Sequence, residues 1–141
     1  MAPTIFVTDN PDKADIKTVE DGLNEYNVQT YGRFDPRPLA VLVRDEETGQ
    51  VIGGLEGRTA LGLLFVELLY LPESLRGSGL GARLLQEAEE EAVRRGCGHG
   101  VLYTVEWQAP GFYVKHGWRV FGEVPSTPEG ASRIFMTKQL H

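Results

Sequence analysis

The chain has 141 residues, which is typical of one domain and long enough to bury a core without a metal or a disulfide. With 41% hydrophobic and 24% charged residues, the composition excludes the disordered and collagen-like classes. A net charge of −6 argues against nucleic acid and anionic membranes as partners. The 17 glycines, about 12% against about 7% in an average protein, follow no Gly-X-Y period, so we expect each at a defined local position.

The predicted elements alternate between strands and helices along the chain. In order, we predict a strand at residues 4–8, a helix at 13–29, strands at 39–43, 50–55 and 63–71, a helix at 80–95, a strand at 101–105, a short helix at 109–116, and strands at 118–124 and 133–139. Hairpins in the first half and a β-α-β unit in the second predict a mixed α/β sheet with helices on both faces, in a single domain of residues 1–141.

The N-terminal sequence and the cysteine content limit the cellular location and the kinds of site that we expect. The first residues lack the basic start and apolar core of a signal peptide, and the longest apolar run, residues 61–71, is too short to cross a bilayer. We therefore predict a cytoplasmic protein that contacts no membrane. Cys97 is the single cysteine, matches no nucleophile motif and is expected to be a small buried residue, and no metal site is predicted.

A glycine-rich segment, Arg76-Gly77-Ser78-Gly79-Leu80-Gly81-Ala82, joins a predicted buried strand to the start of a helix. Free backbone N–H groups and the positive end of the helix dipole meet at such a junction and form an anion site. Glycine lets the backbone approach the anion, because a Cβ atom would stand in the way. The segment therefore predicts a phosphate or pyrophosphate ligand, with Arg76 adding a cation.

Three interpretations of this loop compete. Gly77, Gly79 and Ala82 fit the dinucleotide fingerprint G-x-G-x-x-G/A, and Glu106 ends the next strand, where a ribose-binding acid is expected. That fingerprint normally opens its domain, whereas about half of this chain precedes the loop. A second pattern, R-x-x-G-x-G/A, is filled by Arg76, Gly79 and Gly81. The third interpretation is a tight glycine turn beside an arginine.

The second pattern resembles the coenzyme A loop of the GNAT superfamily of N-acetyltransferases. The resemblance extends from the strand before the loop, through LPESLRGSGLG, to APGFYVKHGW at residues 109–118, which is similar to the later A-x-x-x-Y-x-K-x-G-F signature of that family. It implies a mostly antiparallel mixed sheet. Its fourth and fifth strands, residues 63–71 and 101–105 here, would splay apart and hold the pantetheine arm of acetyl-CoA between them.

The resemblance also implies roles for individual residues. Backbone groups of the fourth strand would bind pantetheine, loop amides would bind pyrophosphate, a tyrosine would protonate the leaving sulfur, and an acid would take a proton from the amine. In this sequence the cofactor-binding positions are Leu69, Tyr70, Leu71, Arg76, Gly77, Ser78, Gly79, Leu80, Gly81 and Ala82, and the catalytic positions are Tyr113 and Glu67. By strand alternation Glu67 is expected to share a face with Leu69 and Leu71, inside an apolar strand.

One position departs from the family pattern. Many members carry an asparagine seven residues before the tyrosine, where this chain has Glu106, and a carboxylate cannot donate a hydrogen bond as an amide does. Gln108 is a candidate replacement. We thus predict an acetyl-CoA-dependent N-acetyltransferase that acts on a primary amine in a ternary complex, with a catalytically silent acyl-CoA-binding module as the alternative. The amine is unidentified, and a homodimer is left open.

Overall fold

The computed structural model describes all residues from Met1 to His141. Its elements, in chain order, are α1 (Lys13–Tyr31), β1 (Arg37–Arg44), β2 (Val51–Ala60), β3 (Leu63–Tyr70), α2 (Leu80–Arg94), β4 (His99–Val105), α3 (Pro110–Lys115), β5 (Arg119–Val124) and β6 (Arg133–Gln139). The chain divides into two compact units, residues 1–34 and residues 35–141. No helix combines the length and the apolar character that a membrane span requires.

The first unit contains α1, which follows a segment without helix or strand. The helix begins where the Asp12 carboxylate accepts a hydrogen bond from the Ala14 N–H at 2.8 Å, and it ends at Gly32, whose φ of 84° is a left-handed cap. The strand predicted at residues 4–8 is wrong, because this segment has no ladder partner. Side chains that favour a strand do not form one until another strand supplies the hydrogen bonds.

The second unit contains a six-stranded sheet in the order β1-β2-β3-β4-β6-β5. Only β3 and β4 run parallel, and every other neighbouring pair is antiparallel. The predicted mixed, mostly antiparallel sheet is therefore confirmed. The parallel pair requires a crossover connection, and this connection contains the glycine loop and α2.

The core lies between α2, α3 and one face of this sheet. Four residues of α2 at helical spacing are buried: Leu84, Leu85, Ala88 and Ala92. They pack with Tyr113 of α3, with Trp118, and with inward residues of the strands. Burial of this stripe fixes α2 on the sheet, and with it the position of the loop that precedes the helix.

A β-bulge interrupts β3 at Glu67. Gly57 of β2 pairs with Val66, whereas the preceding residue, Glu56, pairs with Leu68. Glu67 is therefore an extra residue that has no partner on β2. At Gly57 the strands come so close that a Cβ atom there would lie 2.0 Å from the Phe65 carbonyl oxygen. The bulge changes the direction in which the rest of β3 presents its side chains.

Candidate active site

The site begins where β3 and β4 part. Their parallel ladder runs from Leu63 and His99 only as far as Val66 and Leu102. Both strands continue beyond that point, β3 to Tyr70 and β4 to Val105, without pairing to each other. The predicted splay is thus confirmed, and the bulge at Glu67 stands at its start. The N–H and C=O groups of β3 that point into this gap have no partner on β4, so they are available to form hydrogen bonds with a ligand.

The glycine loop presents a run of unpaired amides. None of the six consecutive N–H groups from Gly77 to Ala82 donates to a backbone carbonyl, and the first helical hydrogen bond is donated by Arg83 to Gly79. Gly77 and Gly79 have φ values of 77° and 83°, in the left-handed region. Glycine takes this conformation without strain, and the turn it makes gathers successive N–H groups into a concave anion site.

A cleft of about 520 Å³ opens beside this loop. Its walls come from the end of β3, from the loop and the start of α2, and from α3: Leu69, Leu71, Arg76, Gly77, Gly79, Gly81, Ala82, Ala109, Phe112, Lys115 and His116. The structure therefore brings together seven of the residues predicted to bind the cofactor. Arg76 is anchored, because its Nε donates to the Leu71 carbonyl at 2.9 Å.

The α3 wall of the cleft was missed in the sequence. Ala109, Phe112 and His116 recur at spacings of three and four, which places them on one face of a helix, and this pattern was available as a signal. The ring of His116 packs on that of Phe112 with centroids 4.8 Å apart. Lys138 fixes the end of the helix by donating to the His116 carbonyl at 2.8 Å. Lys115 and His116 add basic groups to the cleft of an acidic protein.

Tyr113 lies one residue beyond Phe112 and is only 7% exposed. Its ring packs edge-on against Phe112 and Trp118, with centroid distances of 5.2 and 6.2 Å. Desolvation of the phenolate raises the pKa of Tyr113 to about 12. The side chain therefore keeps its proton throughout the neutral and mildly alkaline range, as a proton donor must.

Glu67 faces a second cleft, of about 530 Å³, whose lining includes Val66 and Leu102 at the point where the strands part. The prediction that Glu67 shares a face with Leu69 and Leu71 is wrong, because the bulge shifts the alternation by one residue. Nor is it buried: its side chain is 43% exposed and forms an ion pair with Arg58.

The other singled-out residues have simpler positions. Oε1 of Gln108 accepts from the Val105 N–H and the Thr104 hydroxyl, each at 3.2 Å, which leaves its NH₂ group free to donate. Glu106 is exposed, and its N–H donates to the Ser132 carbonyl. Cys97 is 1% exposed, and burial raises the pKa of its thiol. No group of three or more His, Cys, Asp or Glu side chains is arranged so that it could hold a metal ion.

Comparison with known proteins decides between the interpretations of the loop. The sequence model of the Acetyltransferase (GNAT) family matches residues 5–118. This chain belongs to the GNAT acetyltransferase family. Acetyltransferase Atu2258 of Agrobacterium fabrum is 37% identical over 123 residues, which is 87% of this chain and 89% of that protein. Blasticidin-S acetyltransferase of Streptomyces morookaense is 37% identical over 110 residues, covering 76% of this chain and 81% of that one.

Solved GNAT structures share the fold along most of the chain. A crystal structure from Agrobacterium tumefaciens, assigned as an acetyltransferase, superposes with a TM-score of 0.88 at 34% identity and covers 97% of this chain and 99% of its own. An acetyltransferase from Bacillus cereus superposes with a TM-score of 0.77 at 31% identity and covers 95% and 97%. The chain is therefore an acetyltransferase of the GNAT fold, and the dinucleotide interpretation of its loop is wrong.

Proposed function

We propose that this chain moves an acetyl group from acetyl-CoA to a primary amine of a small molecule or peptide, by direct attack within a ternary complex. One observation carries the proposal: two clefts of similar size lie along β3 near the point where it parts from β4, one beside the free amides of the glycine loop and the other beside Glu67. Such an arrangement supports two substrates that approach the parting strands from different clefts.

The first cleft suits acetyl-CoA in shape and charge. Amides of Gly77 through Ala82 bind the pyrophosphate, and the basic groups of Arg76 and Lys115 compensate its charge. The edge of β3 at Leu69 and Tyr70, which does not pair with β4, and Leu71 directly after it bond to the two amides of the pantetheine arm, and an N–H there stabilises negative charge on the carbonyl oxygen. The thioester, when bound, supplies an activated acetyl group.

Two side chains transfer the protons of the reaction. Glu67 accepts a proton from the acceptor's ammonium group, directly or through a water molecule, so that the nitrogen lone pair is free to form the new C–N bond. Tyr113 donates its phenolic proton to the sulfur as the C–S bond breaks. The nitrogen loses its second proton to solvent as the amide forms, and the phenolate takes a proton back from solvent. The burial of Tyr113 supports this role, because its raised pKa keeps the donor protonated.

The identity of the acceptor is less defined than that of the acyl donor. One relative, blasticidin-S acetyltransferase, is named for a small-molecule substrate, which supports a small molecule rather than a protein as acceptor. The cytoplasmic location and a homodimer remain predictions. Acetyl-CoA as the acyl donor, rather than a longer acyl-CoA, is also part of the proposal.

The test is a thiol-release assay with acetyl-CoA over a panel of primary amines, with calorimetric titration of coenzyme A alongside. We expect coenzyme A to bind and at least one amine to be acetylated. The variant Tyr113→Phe should bind coenzyme A as the natural protein does but lose about 100-fold or more in kcat. Binding without turnover on every amine would favour the silent acyl-CoA-binding module instead. Loss of binding with intact turnover per bound complex would exclude Tyr113 as the acid.

A further inference from the structure

Three aromatic side chains line the second cleft, the one that contains Glu67, together with four aliphatic residues and one ion pair. Its lining residues are Arg58, Phe65, Val66, Glu67, Leu68, Val101, Leu102, Tyr103 and Phe135. The rings of Tyr103 and Phe135 lie 5.5 Å apart at their centroids, and the Tyr103 side chain is among the exposed large groups of the protein, at 57%. Such a wall presents open ring surface to whatever enters from solvent.

The charges of this cleft cancel. Arg58 and Glu67 are the two charged residues in the lining, and they form an ion pair with each other. A polyamine or an aminoglycoside carries several positive charges and requires several unmatched carboxylates, which this cleft does not offer. A molecule with a single amine fits it better, because the amine can approach the half-exposed Glu67 without bringing further unpaired charge.

The guanidinium of Arg58 extends the flat surface. Its central carbon lies over the Phe65 ring, 4.3 Å from the ring centroid, in a cation–π contact. The Arg58 side chain is 47% exposed, which leaves part of the guanidinium open to a ligand. Planar groups stack on arginine as they do on aromatic rings. A flat ring can therefore contact Arg58 and Tyr103 while it lies close to Glu67.

From these observations we propose that the acceptor is a primary amine attached to an aromatic or heteroaromatic ring, with the ring held by Arg58, Tyr103 and Phe135 and the amine directed toward Glu67. This inference rests on the proposed function and adds the class of acceptor. Val66 and Leu102, the last paired residues of β3 and β4, also line this cleft, so the ring-binding wall lies next to the point where the strands part.

The experiment compares three amines with acetyl-CoA: 2-phenylethylamine, its ring-saturated match 2-cyclohexylethylamine, and spermidine. We expect kcat/KM for the phenyl compound to exceed that for the cyclohexyl compound about tenfold, as one good aromatic contact provides. Tyr103→Leu should abolish this preference and Tyr103→Phe should keep it. Phe121→Leu is the matched control, because Phe121 packs on Phe135 with centroids 6.3 Å apart but does not line the cleft.

The experiment distinguishes failure of the ring-binding proposal from failure of the proposed function. Faster acetylation of spermidine or the cyclohexyl compound would overturn the ring-binding proposal and leave the transferase intact. No transfer to any amine, with coenzyme A bound, would overturn both. Tyr103→Leu is also followed by thermal unfolding and by sedimentation. If it shifts stability or the oligomeric state but keeps the phenyl preference, the wall packs against protein and the proposal is wrong.

Discussion

The buried phenol of Tyr113 makes stability depend on pH in the alkaline range. Its pKa is raised to about 12 in the folded protein, against an ordinary value near 10. Between these two values the folded state keeps a proton that the unfolded state has lost. Raising the pH therefore favours unfolding, and the stabilising contribution is complete below about pH 10 and lost as the pH approaches about 12.

The magnitude follows from the size of the shift. Each pKa unit corresponds to about 1.4 kcal/mol, so the two-unit shift is worth about 3 kcal/mol in total. By about pH 11 the free energy of unfolding should have fallen by about 1.4 kcal/mol for this reason alone. The Tyr113 residue is only 7% exposed, so solvent reduces this effect little.

Urea denaturation of the natural protein and of Tyr113→Phe, from about pH 8 to about pH 11, measures the effect. Other groups titrate in both proteins, so the difference between the two curves isolates Tyr113. We expect the natural protein to lose about 1.4 kcal/mol more than the variant over this range. Parallel curves would show that the phenol ionises as freely in the folded state as in the unfolded one, which would refute the desolvation and the argument that this donor stays protonated.

Three further substitutions test other parts of the site. Glu67→Gln removes the proposed proton acceptor and should lower kcat about 100-fold, most strongly below the pKa of the acceptor amine, with coenzyme A affinity unchanged; an unaltered pH–rate profile would count against the role. Gly79→Ala forces a left-handed φ of 83° on alanine and should weaken coenzyme A binding about tenfold by calorimetry, whereas Gly49→Ala, with a φ of 74° in a remote turn, should leave that affinity alone. Gly57→Ala places a Cβ atom 2.0 Å from the Phe65 carbonyl oxygen and should lower Tm by several degrees, and an unchanged Tm would contradict the close approach.

The sequence was sufficient for the features that depend on local chemistry. The loop could be predicted because an anion site needs free amides and left-handed turns, and both requirements select glycine at Gly77 and Gly79. The strands and helices of residues 35–141 could be predicted because their apolar periods differ, and the buried face of α2 follows the predicted spacing.

Features that depend on pairing between distant segments could not be predicted in this way. Alternation assigns Glu67 to the face of Leu69, but an extra residue in the β3 ladder is visible only once Gly57 and Glu56 of β2 are matched to it. The segment at residues 4–8 has strand-forming side chains, yet no strand pairs with it. His116 lines the first cleft, and this place depends on where the short helix α3 docks.

The bulge has a consequence for how this enzyme can vary. Before Glu67 the even-numbered residues Leu64 and Val66 point into the core, and after it the odd-numbered Leu69 and Leu71 do so. Leu69 and Leu71 line the first cleft, whereas Phe65, which points away from the core, lines the second, so the bulge lets one strand contribute side chains to two different clefts. Substitutions at Phe65 can therefore remodel the proposed acceptor cleft without touching the lining of the proposed coenzyme A cleft, so directed evolution can accommodate new acceptors while the proposed donor site stays unchanged.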